Sequence, residues 1–295
     1  MSTYLNSIKG PVSEEMEKFQ PFFKESMKTH IPLLNLVLRY LVNRKGKQIR
    51  PLLVFLTARL YGDTQSKTYT AASLIELLHT ATLIHDDVVD ESFERRGFFS
   101  LNALWKSKVS VLTGDFLLAR GLLLSLDNVA YDLLQIVSDA VKLMSEGELL
   151  QIQKTRKLNI NQEEYFEIIR KKTASLISSC TACGAASAGA SLREIEKMKK
   201  FGEYLGIAYQ IKDDLFDYQK SSKIGKPTGN DIKNKKLTLP LIYALENCDK
   251  KSRRKMIRLI NHSSKSGRDE VKKILHFVEQ YNGISYAESV IEEYK

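Results

Sequence analysis

Six aspartates in two matching groups are the residues best placed to do chemistry. Asp86, Asp87 and Asp90 lie in LIHDDVVDES (83–92), and Asp213, Asp214 and Asp217 in AYQIKDDLFDYQ (208–219). On a helix, positions i and i+4 share a face, so Asp86 stacks on Asp90 and Asp213 on Asp217. Like charges at that spacing repel. Two copies of the same penalty, each after an apolar run, imply a bound cation that offsets it. Carboxylates without a Cys or His cage suit a hard, oxygen-preferring ion, magnesium above all. Such an ion keeps waters and completes its shell with phosphate oxygens, so the donor set itself implies a diphosphate-type ligand. One acidic cluster alone would read equally well as a solvated helix end. Two with the same spacing, each trailed by a basic loop, favour a site.

Cations surround both groups in the sequence. Lys47 and Arg50 lie in NRKGKQIRP (43–51), Arg95 and Arg96 in SFERRGFFS (92–100), and Lys226 and Lys236 in SSKIGKPTGNDIKNKK (221–236); Lys172 and Thr173 are further donors. Guanidinium groups bind phosphate oxygens in bidentate fashion. Neither glycine-lysine pair is a nucleotide-binding loop, because Leu41 and Lys220 occupy the first glycine position and Gln48 and Pro227 replace the Ser/Thr. Glu76-Leu-Leu-His79 matches half of a di-iron carboxylate site. The other histidines (His30, His85, His262, His276) follow Met27, Thr82, Leu259 and Lys273 by three residues, so no second unit exists.

The elements that must position these groups are helical. Only 15 Gly and 6 Pro occur, and 63–96 contains neither. Apolar residues recur at three- and four-residue spacing there and in 129–146, 162–183 and 241–260, whereas period-two alternation is scarce. The pattern predicts an all-α fold of about a dozen helices in one domain, with no convincing strand and loops at 92–100 and 221–236. Cys180 and Cys183, in the small-residue run SSCTACGAASAGA, read as a tight helix–helix contact and not a zinc site. The N-terminus has no signal-peptide core, and the greasiest run, LARGLLLSLDNVAYDLLQIV, carries charges too often to span a bilayer. A soluble cytoplasmic protein is the expectation. With 45 Lys and Arg against 35 Asp and Glu, the formal charge is +10. That favours anionic partners, but the cations are spread along the chain without interleaved stacking aromatics, which argues against nucleic acid.

Taken in order, GKQIRP, LLHTATLIHDDVVDES, RRG, the Gly114-Asp115 pair, KTA (172–174), YQIKDDLFD and GKPTGNDIKNKKLTLP resemble the trans-polyprenyl diphosphate synthases. The likeness runs over about residues 40 to 245 and implies one isoprenoid-synthase helical bundle, 1–295, around an apolar tunnel. It implies that Asp86, Asp87, Asp90, Asp213 and Asp217 hold magnesium on an allylic diphosphate, three ions per active site. Arg95, Lys172, Thr173, Gln210, Lys226 and Lys236 would surround that diphosphate, while Lys47, Arg50, His79 and Arg96 would bind isopentenyl diphosphate. Catalysis would rest on the six aspartates with Lys172 and Lys226. Two departures are visible: Lys45 stands where the family has the first Gly of Gly-Gly-Lys, and Lys235 where a Gly precedes the last lysine. The sequence ends at VIEEYK, short of the terminal helices such synthases carry, which reads as a truncation. A homodimer joined through 109–126 and a peripheral membrane contact for product release are further expectations.

Ala81 and Thr82, one turn before Asp86, are small and leave the tunnel open; the floor would lie among Leu118, Leu122 and Leu126 or in 137–144. The expectation is therefore a product longer than geranylgeranyl, built from a farnesyl or geranylgeranyl primer. A shorter-chain synthase is the alternative. A terpene cyclase would not need Lys47, Arg50 and His79, and a non-catalytic subunit would have no reason to keep both aspartate groups.

Overall fold

Stretches without Gly or Pro fold as their apolar spacing predicts. In a computed structural model that describes residues 2–43, 46–95, 98–155, 158–218, 229–262 and 268–295, fifteen α-helices account for most of the chain. The first six are α1 Ser2–Lys9, α2 Ser13–Ser26, α3 Pro32–Asn43, α4 Ile49–Tyr61, α5 Ser66–Val89 and α6 Leu101–Asp127. They are followed by α7 Tyr131–Thr155, α8 Gln162–Ile169, a π-helical turn Arg170–Ala174, α9 Ser175–Ser187 and α10 Leu192–Phe216. The last five are α11 Asn230–Lys233, α12 Leu239–Asn247, α13 Lys250–His262, α14 Arg268–Gln280 and α15 Gly283–Glu293. Helices exceed the expected dozen partly because 241–260 is interrupted after Asn247, and partly because Asn230–Lys233 is a short helix inside the stretch read as loop. The chain divides into two compact units, Met1–Val141 with Ser178–Phe201, and Lys142–Ile177 with Gly202–Lys295.

In the first unit α5 is the central element. Thr68 Oγ1 accepts the Gln65 N–H at 3.1 Å and closes its first turn. Leu74, Ile75 and Leu77 are fully buried, as are Phe19 of α2, Phe55 of α4 and Leu117 of α6. Two glycines set close approaches. At Gly121 of α6 a Cβ would meet Leu74 and Leu78 at 3.3–3.6 Å, ordinary to tight packing. At Gly184 it would lie 2.5 Å from the Val54 carbonyl oxygen, so this face of α9 touches the α4 backbone itself. The small-residue run is thus a helix–helix contact. Cys180 and Cys183 are fully buried there, and burial pushes the Cys180 thiol up to about 12, which makes it inert.

Two expectations are corrected. The stretch 92–100 holds a two-stranded antiparallel ribbon, β1 Glu94–Arg95 with β2 Phe98–Phe99, in which Glu94 pairs with Phe99 and Arg95 with Phe98. Four residues are too few for a period-two signal. Secondly, α6 is long and apolar enough to cross a membrane by length and composition, because 109–126 carries only Asp115 and Arg120. In the fold it lies along α5, and Arg120 Nε donates to the Ser26 carbonyl at 2.8 Å. Leu112, Leu122, Leu123 and Leu126 remain exposed.

The second unit packs one core from α8, α10, α12, α13, α14 and α15, including Ile207, Ile211, Leu215, Leu239, Ile260 and Ile274. Gly283 begins α15 because a Cβ there would fall 2.2 Å from the Pro240 carbonyl oxygen.

Gly184→Ala should cost about 1–3 kcal/mol, since backbone on the opposing helix cannot move aside. Gly10→Ala, with nothing within 4 Å, is the control. Chemical denaturation of both variants checks this; equal stabilities would mean that α4 and α9 do not meet as described.

Candidate active site

The two aspartate groups occupy equivalent places on two helices. Asp86 and Asp87 lie in the last turn of α5 and Asp90 is the first residue beyond it; Asp213 and Asp214 lie in the last turn of α10 and Asp217 is the first residue beyond. Neither last turn contains a basic residue. Carboxylates at a helix C-terminus meet the negative pole of the macrodipole, so each group opposes both its neighbours and its helix. In α5 the expected stacking holds: the Asp90 N–H bonds the Asp86 carbonyl at 2.8 Å. In α10 the turn tightens, with the Asp217 N–H on the Asp214 carbonyl at 3.1 Å.

In the first unit Asp87 is buried, Asp86 half-buried and Asp90 exposed. His85 anchors this end. Its Nε2 lies 3.2 Å from the Val111 carbonyl and 3.4 Å from Asp115 Oδ1 on α6, and a Cβ on Gly114 would collide with the ring at 2.2 Å. The Gly114-Asp115 pair is therefore the seat of the histidine that precedes the aspartates. Arg50, in the first turn of α4, and Glu76 of α5 both lie close enough to Cys180 to act on its thiol. His79 is buried one turn beyond Glu76 on α5. Lys47 is exposed just before α4. Arg96 and Lys226 lie outside the described residues, and Arg95 is described only as backbone of β1. Ala81 is fully buried and Thr82 half-buried, its hydroxyl donating to the His79 carbonyl at 2.9 Å.

The second unit contains the clearest site, a cavity of about 240 Å³. Lys172, Thr173, Gln210, Asp213, Asp214 and Lys236 all line it. The π turn carries Lys172 and Thr173, and two glycines hold it: a Cβ at Gly147 would lie 2.8 Å from the Lys172 backbone nitrogen, and one at Gly206 would lie 2.5 Å from Ala174 Cα. Such π turns recur at functional sites because they re-aim side chains within a helix. Thr173 Oγ1 donates to Gln210 Oε1 at 2.6 Å, and Gln210 Nε2 donates to Asp214 Oδ1 at 2.8 Å. Tyr165 Oη donates to Asp214 Oδ2 at 2.7 Å, and Lys236 Nζ lies 3.9 Å from Asp214 and 3.6 Å from Asp231. Lys172 pairs with Glu148 and donates to Gln151 Oε1 at 3.3 Å.

This network surrounds Asp214. It is 2% exposed and does not share the outward position of Asp213. Burial pushes its carboxyl from 3.8 up to about 6, against the opposing pull of Lys236 and the Tyr165 hydrogen bond. Burial also holds the Tyr165 phenol well above its ordinary range, so it remains a donor. Lys236 is pulled down by burial, but Asp214, Asp231 and Asp213 outweigh this and leave it raised. Asp214 thus anchors a hydrogen-bond chain that runs through Gln210 to Thr173. Tyr165 and Asp231 escape sequence reasoning. Tyr165 is seven residues before Lys172, which places it near that face of a helix, yet an aromatic there reads as core. The Asp231 N–H donates to Asp217 Oδ2 at 3.0 Å, a contact no spacing rule encodes.

Among the described residues no three His, Cys, Asp or Glu side chains gather into an all-protein metal cage. The donor set nonetheless fits magnesium. All its atoms are carboxylate oxygens, they sit at helix ends whose last turns contain no basic residue, and magnesium completes its shell with water and ligand phosphate. Asp86, Asp87 and Asp90 in the first unit, and Asp213 and Asp217 in the second, are the residues that would hold such ions.

A family model for polyprenyl synthetases matches residues 31–278, and the chain belongs to that family. It is 37% identical to the octaprenyl diphosphate synthase of Escherichia coli (strain K12) over 82% of this chain and 75% of that one. The crystal structure of a decaprenyl diphosphate synthase from Rhodobacter capsulatus superposes with a TM-score of 0.90 at 33% identity, covering 98% and 90% of the two chains. That of a geranylgeranyl pyrophosphate synthase from Bacteroides thetaiotaomicron gives 0.81 at 38% identity, covering 98% and 89%. The fold is accordingly the all-α fold of isoprenyl synthases.

The Asp214 environment predicts a pH effect. A carboxyl whose folded value is raised binds more protons folded than unfolded between the two values, so its stabilisation is complete below 3.8 and is lost as pH rises through about 6. Without metal, wild-type protein should lose up to about 3 kcal/mol relative to Asp214→Asn between roughly pH 4 and 7. Urea unfolding of both proteins across that range measures it. A difference independent of pH would show that Asp214 is not held as described.

Proposed function

We propose that the protein is a trans-prenyltransferase. It condenses isopentenyl diphosphate head to tail onto an allylic diphosphate, repeatedly, to give a long-chain all-trans polyprenyl diphosphate. The observation that carries this reading is the cavity of the second unit, where Lys172, Thr173, Gln210 and Lys236 surround the second aspartate group. Its volume, about 240 Å³, is below the roughly 300–1,000 Å³ of a pocket for a whole small molecule and suits a diphosphate head group. Lys172 and Lys236 donate to its oxygens, and Thr173, oriented by Gln210, adds a neutral donor. Magnesium, three ions in the reading the family resemblance implies, would be held by Asp86, Asp87, Asp90, Asp213 and Asp217 and would supply further charge neutralisation when bound.

The chemistry then balances without a protein base. The allylic C–O bond breaks with its electron pair on the diphosphate, which Lys172, Lys226, Lys236 and Arg95 stabilise. Lys47, Arg50, His79 and Arg96 hold isopentenyl diphosphate so that its double bond forms the new C–C bond. The proton lost from the adjacent carbon goes to the departed diphosphate. The apolar length of α5 before its aspartates keeps water from the cation. Small residues at Ala81 and Thr82, and the octaprenyl and decaprenyl synthases among the relatives, support a long product. The identity to a geranylgeranyl synthase favours a shorter one as the second reading. The exposed leucines of α6 support a homodimer joined through 109–126. A single 1–295 domain, supported by one family match running through both units, and a cytoplasmic setting complete the proposal.

Incubation with farnesyl and isopentenyl diphosphates and magnesium, followed by chain-length separation, tests this directly. Asp86→Ala or Asp213→Ala should lower the rate by about 10² to 10⁵. Near-normal turnover with intact helix content would remove the aspartate groups from the mechanism.

Ala81→Phe places a ring about 7.5 Å, five residues, below Asp86 along α5. First condensations should continue at a comparable rate while long products disappear. Full-length product from a folded variant would put Ala81 outside the tunnel wall. A loss of about 1–3 kcal/mol with unchanged products would make it packed core.

A further inference from the structure

The catalytic reading leaves one strongly charged surface without a role, the outer face of α13. Between Lys250 and His262 it carries six cations (Lys250, Lys251, Arg253, Arg254, Lys255 and Arg258) and no carboxylate. All six are exposed, whereas Met256 and Ile260 are buried. At about 100° per residue, Lys251, Arg254, Lys255 and Arg258 fall within an arc of roughly 100° opposite those two. No ion pair among the described residues engages Lys251, Arg254 or Lys255.

Cations of one sign at this density repel one another and load the helix N-terminus, where the macrodipole disfavours them. Asp249 offsets part of that cost, accepting the Lys251 and Ser252 N–H groups at 2.8 and 3.0 Å. Beside this face, α13 and α14 enclose a groove of about 260 Å³, with Lys255, Lys273 and His276 on its rim and Met256, Leu259 and Phe277 among its apolar walls. A cationic rim over an apolar floor matches a ligand that is anionic at its head and apolar just below it.

We propose that helices α13 and α14 dock the protein on an anionic lipid bilayer, with the cationic arc against the head groups and the groove taking one of them. This rests on the proposed function in one respect. A long polyprenyl diphosphate is itself such an amphiphile and must leave the protein for a lipid phase, which favours a membrane over a nucleic acid as the partner. The absence of any aromatic residue from α13 points the same way, since nucleic-acid faces interleave stacking rings with their cations. The exposed face of α13 offers no large apolar side chain, so attachment is electrostatic and reversible.

Co-sedimentation of the full chain with vesicles tests the proposal without catalysis. Vesicles of phosphatidylcholine containing 30% phosphatidylglycerol should bind the protein at least tenfold more tightly than pure phosphatidylcholine, and 0.5 M NaCl should abolish the difference, as expected for roughly four surface cations. The combined Lys251→Gln, Arg254→Gln, Lys255→Gln and Arg258→Gln variant should lose this preference while retaining its helix content and its condensation rate on soluble substrates. Equal binding to both vesicle types would overturn the proposal, as would undiminished binding by the variant. Tighter binding to a short DNA duplex than to the anionic vesicles would overturn it in favour of nucleic acid. The condensation assay, run on the same samples, reads the proposed synthase activity separately, so failure of one is not failure of the other.

Discussion

Negative charge gathered at the C-terminal end of a helix is the constraint around which the structure is arranged. Both α5 and α10 end in two aspartates followed by a third, with no lysine or arginine in the last turn. Mutual repulsion and the helix macrodipole act against the same groups. Burial of the preceding turns outweighs that cost: Leu74, Ile75 and Leu77 in α5, and Ile207, Ile211 and Leu215 in α10, are fully buried. The carboxylates are thereby held in positions that a free helix would abandon. They are not all held for the same purpose. Asp214 turns inward and is satisfied by Tyr165, Gln210 and Lys236, whereas Asp213 faces out.

Precision in the second unit comes from close backbone approach. The π turn Arg170–Ala174 lies against Gly147 on one side and Gly206 on the other, at distances that no Cβ would tolerate. Thr173 is then fixed twice, by the path of its backbone and by the hydrogen-bond chain through Gln210 to Asp214. A buried polar chain of this kind is favourable only when each member is satisfied. Gly114 does the equivalent service for His85 in the first unit, where the imidazole stands directly before Asp86. Glycines thus act here through the space they leave and not through unusual dihedral angles.

The same amphipathic principle gives the outer surfaces opposite characters. On α6, Gly121 and Leu117 turn toward the first unit's own helices while Leu112, Leu122 and Leu126 are exposed. On α13 the inward residues are again apolar, but the outward ones are cations. An exposed leucine row gains by excluding water, whereas an exposed cation row gains by meeting fixed negative charge.

The sequence by itself determined the helical class, the two aspartate groups and most of the cations near them. Those features are local: apolar spacing of three and four residues decides α5 before any packing is known, and an aspartate pair with a third three residues on is legible wherever it falls. It also pointed to SSCTACGAASAGA as a tight contact surface, since small residues let helix backbones approach closely. Tertiary structure decided what depends on partners distant in the chain. It buried Asp214 and exposed its neighbour Asp213, because Tyr165, 49 residues away, reaches only the former. It placed Asp231 on Asp217 and Lys236 between two carboxylates. It made the two-residue strands around Arg95, too short for any periodic signal, and turned a membrane-length helix into a packed one by giving α6 a neighbour in α5. Spacing reveals which side chains share a face of one helix. Only the fold decides what that face meets.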